Sequence, residues 1–409
     1  MAGRKTFVGF GFGAIQTGLF LWEAQQSGNF ERLVIAMTND DVVAGLRCAG
    51  GNFHVNVATR TAREVCEIRG VEIFNPHAAR DRQSLVEAIA EASEMSTALP
   101  SVETYEQPDA SVAELLAEGL RAKLRQNSPT RCILYAAENH NHAAELLRAS
   151  LSKRLTSEED QTLHSVFQPL NTVIGKMSRV VRDAAEIKEA GLQPYVDGGS
   201  RAYLVEAFNR ILVSKVTQPG FKRGIAVLAE KPDLLPFEEA KLYGHNAAHA
   251  LLGYLGRQRG LRFIAEAAAD DQLMTFVREA FLDESGRALI ARWLGVDLLF
   301  TSDGYRAFAD DLLERMVNPW LRDSVERETR DPRRKLGWDD RLGGTMRLAL
   351  AAGIQPSRLA VGAAAALERL QSEEPTRTKG GLLDDIWANA NASPDEKHKV
   401  RSLILTAKG

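Results

Sequence analysis

The sequence predicts an N-terminal α/β domain built on a parallel, doubly wound sheet, followed by a mainly α-helical C-terminal domain. Three observations carry this. A short apolar strand runs straight into a glycine-rich loop, strand-like and helix-like segments alternate as far as Ala136, and helical spacing dominates the second half. Lys5–Val8 reads as the first strand and Arg32–Met37 (RLVIAM) as the second, with a helix-compatible stretch between them. Val71–Phe74, Met95–Leu99 and Cys132–Ala136 follow as strands, and Arg82–Ser93 and Ser111–Leu124 as helices. Thr156-Ser-Glu-Glu159 has the form of a capping box. From Ala202 onward the strand signal gives way: Ala202–Val213, Phe237–Gly256, Ser285–Leu294, Tyr305–Met316 and Arg358–Leu370 carry apolar residues at helical spacing. The boundary is therefore expected near residue 180, with domains at 1–180 and 181–409. Glu373–Gly381 reads as an exposed linker, and Ser393-Pro394 as the N-cap and first position of a final helix.

A chain of 409 residues suffices for two hydrophobic cores. Hydrophobic residues make up 44% and charged residues 26%, the balance of a globular protein. A formal net charge of −3 argues against a general affinity for nucleic acid or anionic membranes. No stretch approaches the roughly 18 apolar residues of a membrane span. Cys48, Cys66 and Cys132 are too few and too scattered for a disulfide framework or a CxxC metal site. The N-terminal segment lacks the apolar region of a signal peptide. A cytoplasmic enzyme is expected, with neither nucleic-acid nor membrane partners.

Gly11-Phe-Gly13-Ala14-Ile15-Gln16-Thr-Gly18 follows the first strand and opens a helix-compatible stretch, the context of a dinucleotide-binding, Rossmann-type loop. Its glycines permit a tight turn and bring backbone N–H groups to a pyrophosphate at the positive end of a helix. Two positions depart from the usual fingerprint. Gln16 stands where the third glycine belongs, with Gly18 two residues later. Met37-Thr38-Asn39 occupies the place of the acidic residue that binds the ribose of NAD, which leaves Asn39 or Asp40 to substitute.

The stretch from Glu239 to Ala250 concentrates reactive side chains. On an ideal helix at about 100° per residue, Lys241, Asn246 and His249 fall within an arc of roughly 140°, among small neighbours that let a ligand come close. A lysine whose pKa is lowered by burial can accept the proton of a secondary alcohol, and an asparagine amide can donate to the developing alkoxide. The plainer alternative is an amphipathic helix with a solvated lysine and a core histidine. A third reading pairs His245 and His249, at i, i+4, on a metal, although Asn246 stands where a zinc protease carries glutamate.

Lys241-x4-Asn246-x2-His249, followed by Gly253-Tyr254-Leu255-Gly256, resembles the signature of the polyol-specific long-chain dehydrogenase/reductase (mannitol dehydrogenase) family. Other segments match in order: Gly11-x-Gly13, Ala136-Ala-Glu138-Asn139, Asn171 to Arg179, and Asn318-Pro319, Asp323 and Arg327-x2-Arg330-Asp331-Pro332-x-Arg334-Lys335-Leu336. The resemblance implies an NAD- or NADP-dependent, metal-free oxidoreductase, with NAD preferred. It makes Lys241 the general base, Asn246 and Asn171 an oxyanion hole, and His249 an orienting group. It places Gly11, Gly13, Ala14, Ile15, Asn39 and Asn139 at the cofactor, and Arg327, Arg330 and Lys335 at the substrate. The expected partner is a small sugar alcohol or ketose, phosphorylated by preference, bound by a monomer. A free polyol or hexuronate is the alternative substrate, and a catalytically retired dinucleotide-binding protein the alternative class.

Overall fold

A computed structural model of the chain describes residues 5–108, 111–208 and 210–407. They form two compact units divided after Leu234.

The first unit holds β1 (Thr6–Phe10), β2 (Arg32–Ala36), β3 (Phe53–Ala58), β4 (Arg63–Ile68), β5 (Val71–Phe74) and β6 (Ala92–Thr97). β7 (Cys132–Ala136), β8 (Phe167–Val173), β9 (Ser178–Val181), β10 (Ala202–Glu206), β11 (Ile211–Ser214) and β12 (Leu228–Lys231) complete it. The main sheet runs β12-β11-β8-β7-β6-β1-β2-β5, and a second sheet runs β4-β3-β10-β9. From β5 to β8 every neighbouring pair in the main sheet is parallel. The chain steps outward from β1 to β2 and β5, then returns to β6, β7 and β8 on the other side. This is the doubly wound order, and its reversal at β1 opens a crevice at the carboxyl ends of β1 and β6.

Every residue of β1, β6 and β7 is buried, as parallel strands covered on both faces require. One face packs on the helices Ala79–Glu91 and Val112–Leu124 through Leu85, Ile89, Leu116 and Leu120. The other packs on the helix after the glycine loop, through Leu19 and Phe20, and on Phe53, Val55, Tyr203 and Val205 of the second sheet.

The second unit is helical. Its central helix, Asn246–Gln258, is buried along most of its length and packs against Ser357–Glu373, where a side chain on Gly362 would collide with Leu251. No helix among the described residues is long and apolar enough to cross a membrane.

Two expectations need correction. Ala202–Val213 is not a helix but the strands β10 and β11. β10 pairs with β3 and β9, and β11 with β8 and β12, so residues 181–234 complete the sheets of the first unit and the boundary lies after Leu234 rather than near 180. The linker is shorter than expected, because a helix begins at Lys379. Capping boxes form at Thr156 and Ser393.

The structure also explains the missing third glycine. Helix and strand usually approach closely at that point because the glycine lacks a side chain. Here the space is on the strand: the buried Gln16 side chain accepts a hydrogen bond from Ser96 Oγ (2.9 Å) and lies where a Gly9 side chain would be. Gly18 provides the second close approach, since a Cβ there would lie 2.5 Å from Val205 Cγ1. Gly18→Ala is expected to destabilise the protein by about 1–3 kcal/mol through overpacking, despite an alanine helix propensity better by about 1 kcal/mol. An unchanged or higher urea midpoint in the variant would contradict this packing.

Candidate active site

In the first unit a cavity of about 740 Å³ opens over the glycine loop, lined by Gly11, Gly13, Ala14 and Ile15. Gly11 has φ of 89°, donates to the Ala36 carbonyl (3.0 Å), and could carry a side chain only 2.9 Å from the Ala98 carbonyl oxygen. A Cβ on Gly13 would meet nothing within 4 Å, so the loop presents open backbone to the cavity. Thr38 and His77 line it near the ends of β2 and β5, and Arg179, Arg182 and Arg201 also border it. The Nε atoms of Arg179 and Arg201 are buried without a hydrogen-bond partner. Exposed loop backbone, a helix start and three bordering guanidinium groups together fit an anionic dinucleotide.

The remaining residues expected at the cofactor lie elsewhere. Asn39 caps the helix Asp40–Cys48 by accepting from Val42 N (3.0 Å), and Asp40 accepts from Asn75 Nδ2 (2.6 Å); neither lines the cavity. Asn139 is exposed beyond β7 and does not line it either. The preceding residue, Glu138, is buried and accepts from Thr97 Oγ1 (2.9 Å), Leu99 N (3.0 Å) and the Tyr105 hydroxyl. Burial raises its carboxyl pKa, and its bonds tie together the ends of β6 and β7. Asn171, expected in the oxyanion hole, is fully committed. Its Oδ1 accepts from Ala144 N (2.8 Å), and its Nδ2 donates to both oxygens of Glu145 (2.9 and 2.7 Å), so it braces the first turn of Ala143–Ser152.

In the second unit the helical path through Lys241 changes register. Leu235–Glu239 is α-helical, Ala240–His245 is a π turn, and Asn246–Gln258 is α-helical again. The backbone N–H of Asn246 bonds to the Lys241 carbonyl, five residues back. On an α-helix His245 would stack on Lys241; the π turn puts Asn246 there, with His249 three residues on along the same face. The signature spacing thus aligns all three residues more closely than the 140° arc of an ideal helix. Gly244 makes the turn's packing possible, because a Cβ there would lie 2.5 Å from the Tyr305 hydroxyl and 3.1 Å from the Phe281 ring.

The Lys241 amine has no hydrogen-bond or ion-pair partner among the described residues. Burial, and then the Arg341 guanidinium, push its pKa down to about 8, with Glu238 partly opposing. Burial and the neighbouring His249 hold His245 well below the ordinary histidine range, so it is a neutral imidazole. For His249, burial alone would lower the pKa, but the carboxylates of Glu328 and Asp323 outweigh it and raise it. Nε2 of His249 lies 3.3 Å from Asp323 Oδ2, and Nδ1 lies 3.7 Å from Glu328 Oε2.

Those two carboxylates carry the contacts outward. Asp323 also binds Arg327 (2.8 Å to Nε, 2.7 Å to Nη2), and Glu328 binds Lys335 (3.3 Å). Lys335 is buried, bonds to the Glu328 carbonyl, and sits 5.7 Å from the centre of the Tyr254 ring. Arg327, Arg330, Arg334, Lys335 and Arg341, with Glu328 and Asp331, line a second cavity of about 430 Å³.

The structure therefore brings together Lys241, Asn246 and His249 on one helix, and Arg327, Arg330 and Lys335 around one cavity. His249, Asp323 and Glu328 are the three side chains among the described residues placed to share a metal ion, their ligand atoms lying within 4.8 Å of one another. His245 is not part of that cluster, and both carboxylates already face cationic side chains. Sequence reasoning missed Arg341, Arg179, Arg182 and Arg201. The last two follow the expected domain boundary, and Arg341 lies beyond the quoted basic run.

The mannitol dehydrogenase C-terminal domain model matches residues 233–407. A mannitol-1-phosphate 5-dehydrogenase of Bacillus licheniformis is 29% identical over 385 residues, covering 91% of this chain and 92% of that protein. One from Lactiplantibacillus plantarum is 26% identical over 335 residues, covering 82% and 79%. Among solved structures, a substrate-free D-sorbitol dehydrogenase superposes with a TM-score of 0.76 at 16% identity, covering 98% of this chain and 93% of its own. The Pseudomonas fluorescens mannitol 2-dehydrogenase in complex with NAD and D-mannitol gives 0.72 at 16% identity, covering 99% and 92%. At such identities these structures establish a shared fold. Residues 233–407 thus match the mannitol dehydrogenase C-terminal domain, and the chain is similar over most of its length to mannitol-1-phosphate 5-dehydrogenases.

Proposed function

We propose that the chain is a metal-independent, NAD- or NADP-dependent dehydrogenase interconverting a polyol phosphate and a ketose phosphate, of the mannitol-1-phosphate 5-dehydrogenase type. The observation that carries the reading is Lys241: an unpaired amine with its pKa near neutrality, on a π turn that aligns it with Asn246 and His249. The names of the relatives and the many cations of the second cavity favour the phosphorylated pair over a free polyol or hexuronate. NAD is the expected cofactor, with NADP the alternative because Asp40 is already bonded to Asn75. The protein is expected to act as a cytoplasmic monomer.

A bound nicotinamide supplies the two-electron hydride acceptor for the alcohol carbon. In that direction the neutral Lys241 amine accepts the hydroxyl proton, and in ketone reduction its ammonium form returns it. The Asn246 amide donates to the same oxygen as negative charge builds on it. His249, whose pKa the nearby Glu328 and Asp323 raise against burial, is a positioning residue beside the two carboxylates that hold Arg327 and Lys335. Asn171 takes no part in this scheme, because its amide is consumed within the first unit. A retired dinucleotide binder would have no use for an unpaired, low-pKa lysine.

Lys241→Ala is expected to reduce turnover by about 10²-fold or more while NADH binding, followed by fluorescence, stays intact; near wild-type turnover would remove the base assignment. The pH dependence has a definite sign. Alcohol oxidation needs the neutral amine and should rise through about pH 8 to a plateau, whereas ketose reduction needs the ammonium and should fall through the same range. Profiles flat from pH 7 to 9 (values chosen to bracket about 8) in single-turnover assays would contradict this. Activity should also survive EDTA. Loss in chelator, restored by zinc, would move the chemistry to His249, Asp323 and Glu328.

A further inference from the structure

The cavity of about 430 Å³ in the second unit has more positive charge than its own carboxylates satisfy: five cationic side chains against Glu328 and Asp331. Arg327 and Lys335 are already engaged by Asp323 and Glu328. Arg334 is exposed and pairs with Asp331 (2.7 Å), and exposed Arg330 donates to the Arg327 carbonyl (3.3 Å).

Arg341 differs from these. It is 9% exposed, yet its guanidinium is tied only through Nε, to Asp340 Oδ1 (2.9 Å), and its terminal Nη groups have no partner among the described residues. Those terminal groups are open to the cavity, where the oxygens of an anion can complete their bonds. Its place relative to Lys241 is fixed by the backbone. The buried Thr345 hydroxyl lies 2.6 Å from the Arg341 carbonyl oxygen and 3.3 Å from that of Tyr243, on the π turn. Gly344 allows this approach, since a Cβ there would lie 2.7 Å from the Tyr243 ring.

We propose that Arg341, with Arg330 and Arg334 at the cavity rim, binds the phosphoryl group of the substrate and makes the enzyme prefer a phosphorylated over a free polyol or ketose. The inference rests on the polyol-phosphate reading above. A planar guanidinium presents two parallel N–H groups to two phosphoryl oxygens. A phosphate monoester brings about −1.5 to −2 charges near neutral pH, the complement of these arginines. A free hydroxyl leaves the Arg341 donors unmet, and that mismatch is the source of selectivity.

The test compares kcat/KM for fructose 6-phosphate and for fructose in the wild type, Arg341→Gln and Arg341→Lys. The ratio of the two values should fall about 100-fold in Arg341→Gln, chiefly through KM for the phosphate. It should recover only in part in Arg341→Lys, which keeps the charge and loses the fork. Loss of the Arg341 charge also alters Lys241, but both substrates feel that change alike, so the ratio cancels it. Equal losses on both substrates would make Arg341 a positioning residue for Lys241 alone and overturn the proposal. Should Arg341→Gln fail to bind NADH, the exposed Arg330→Gln carries the test, with a fall in the ratio of about tenfold. A wild type inactive on the ketose phosphate would overturn the underlying reading. Activity on it with the ratio unchanged in the variants would overturn this inference alone.

Discussion

One backbone hydrogen bond, from the Asn246 N–H to the Lys241 carbonyl, organises the reactive face of the second unit. With i→i+5 bonding the turn widens by one residue, and the helix resumes α geometry with Asn246 stacked above Lys241. In an uninterrupted α-helix His245 would take that place. The widened turn needs room, and Gly244 provides it against Tyr305 and Phe281. A second π turn, Ala280–Gly286, contributes Phe281 from across the contact, and Gly286 approaches the Tyr305 ring at 2.7 Å for a hypothetical Cβ. The small residues that read as ligand clearance in the sequence thus include one whose job is helix packing.

Around this helix, charge is arranged in two settings. Lys241 meets burial and a nearby guanidinium, both of which favour its neutral form. His249 meets burial too, but two carboxylates reverse its effect and raise its pKa. The same carboxylates hold Arg327 and Lys335, so one histidine shares its partners with two cations of the neighbouring cavity. The energetics follow from pairing: a buried charge is tolerated when its partners are fixed, and removing one partner strands the rest. Lys241 is left without such a partner, the condition under which an amine exchanges protons near neutral pH.

Much of the first unit was legible because its central strands are short and mostly apolar, so β1, β2, β5 and β7 fell close to where the pattern placed them. The second sheet was not. β4 (REVCEI) carries charge on half-exposed positions, and β10 joins the sheet by pairing with β3, far away in sequence, as well as with β9. Leu204 and Val205 in one strand, and Ile211 to Val213 in the next, mimic helical spacing, and that likeness moved the expected domain boundary. At the site, Lys241, Asn246 and His249 could be singled out in the sequence, but their alignment could not. A five-residue spacing looks splayed on an α-helix, and nothing local in the sequence announces the π turn. Gln16 looked like damage to the glycine loop until Gly9, on the facing strand, accounted for its room. Asn171 matched a family position, yet its amide bonds to Ala144 and Glu145 could be known only from the fold.

Base catalysis by Lys241 requires an amine that can lose its proton near neutrality. The direct measurement is the pKa of its side chain, followed by NMR of 13C- and 15N-labelled protein against a Lys241→Arg reference for assignment. Titration at about 8 is expected in the wild type, moving upward when Arg341 is replaced by glutamine. A lysine that titrates at about 10.4, the ordinary value, and ignores Arg341 would contradict it.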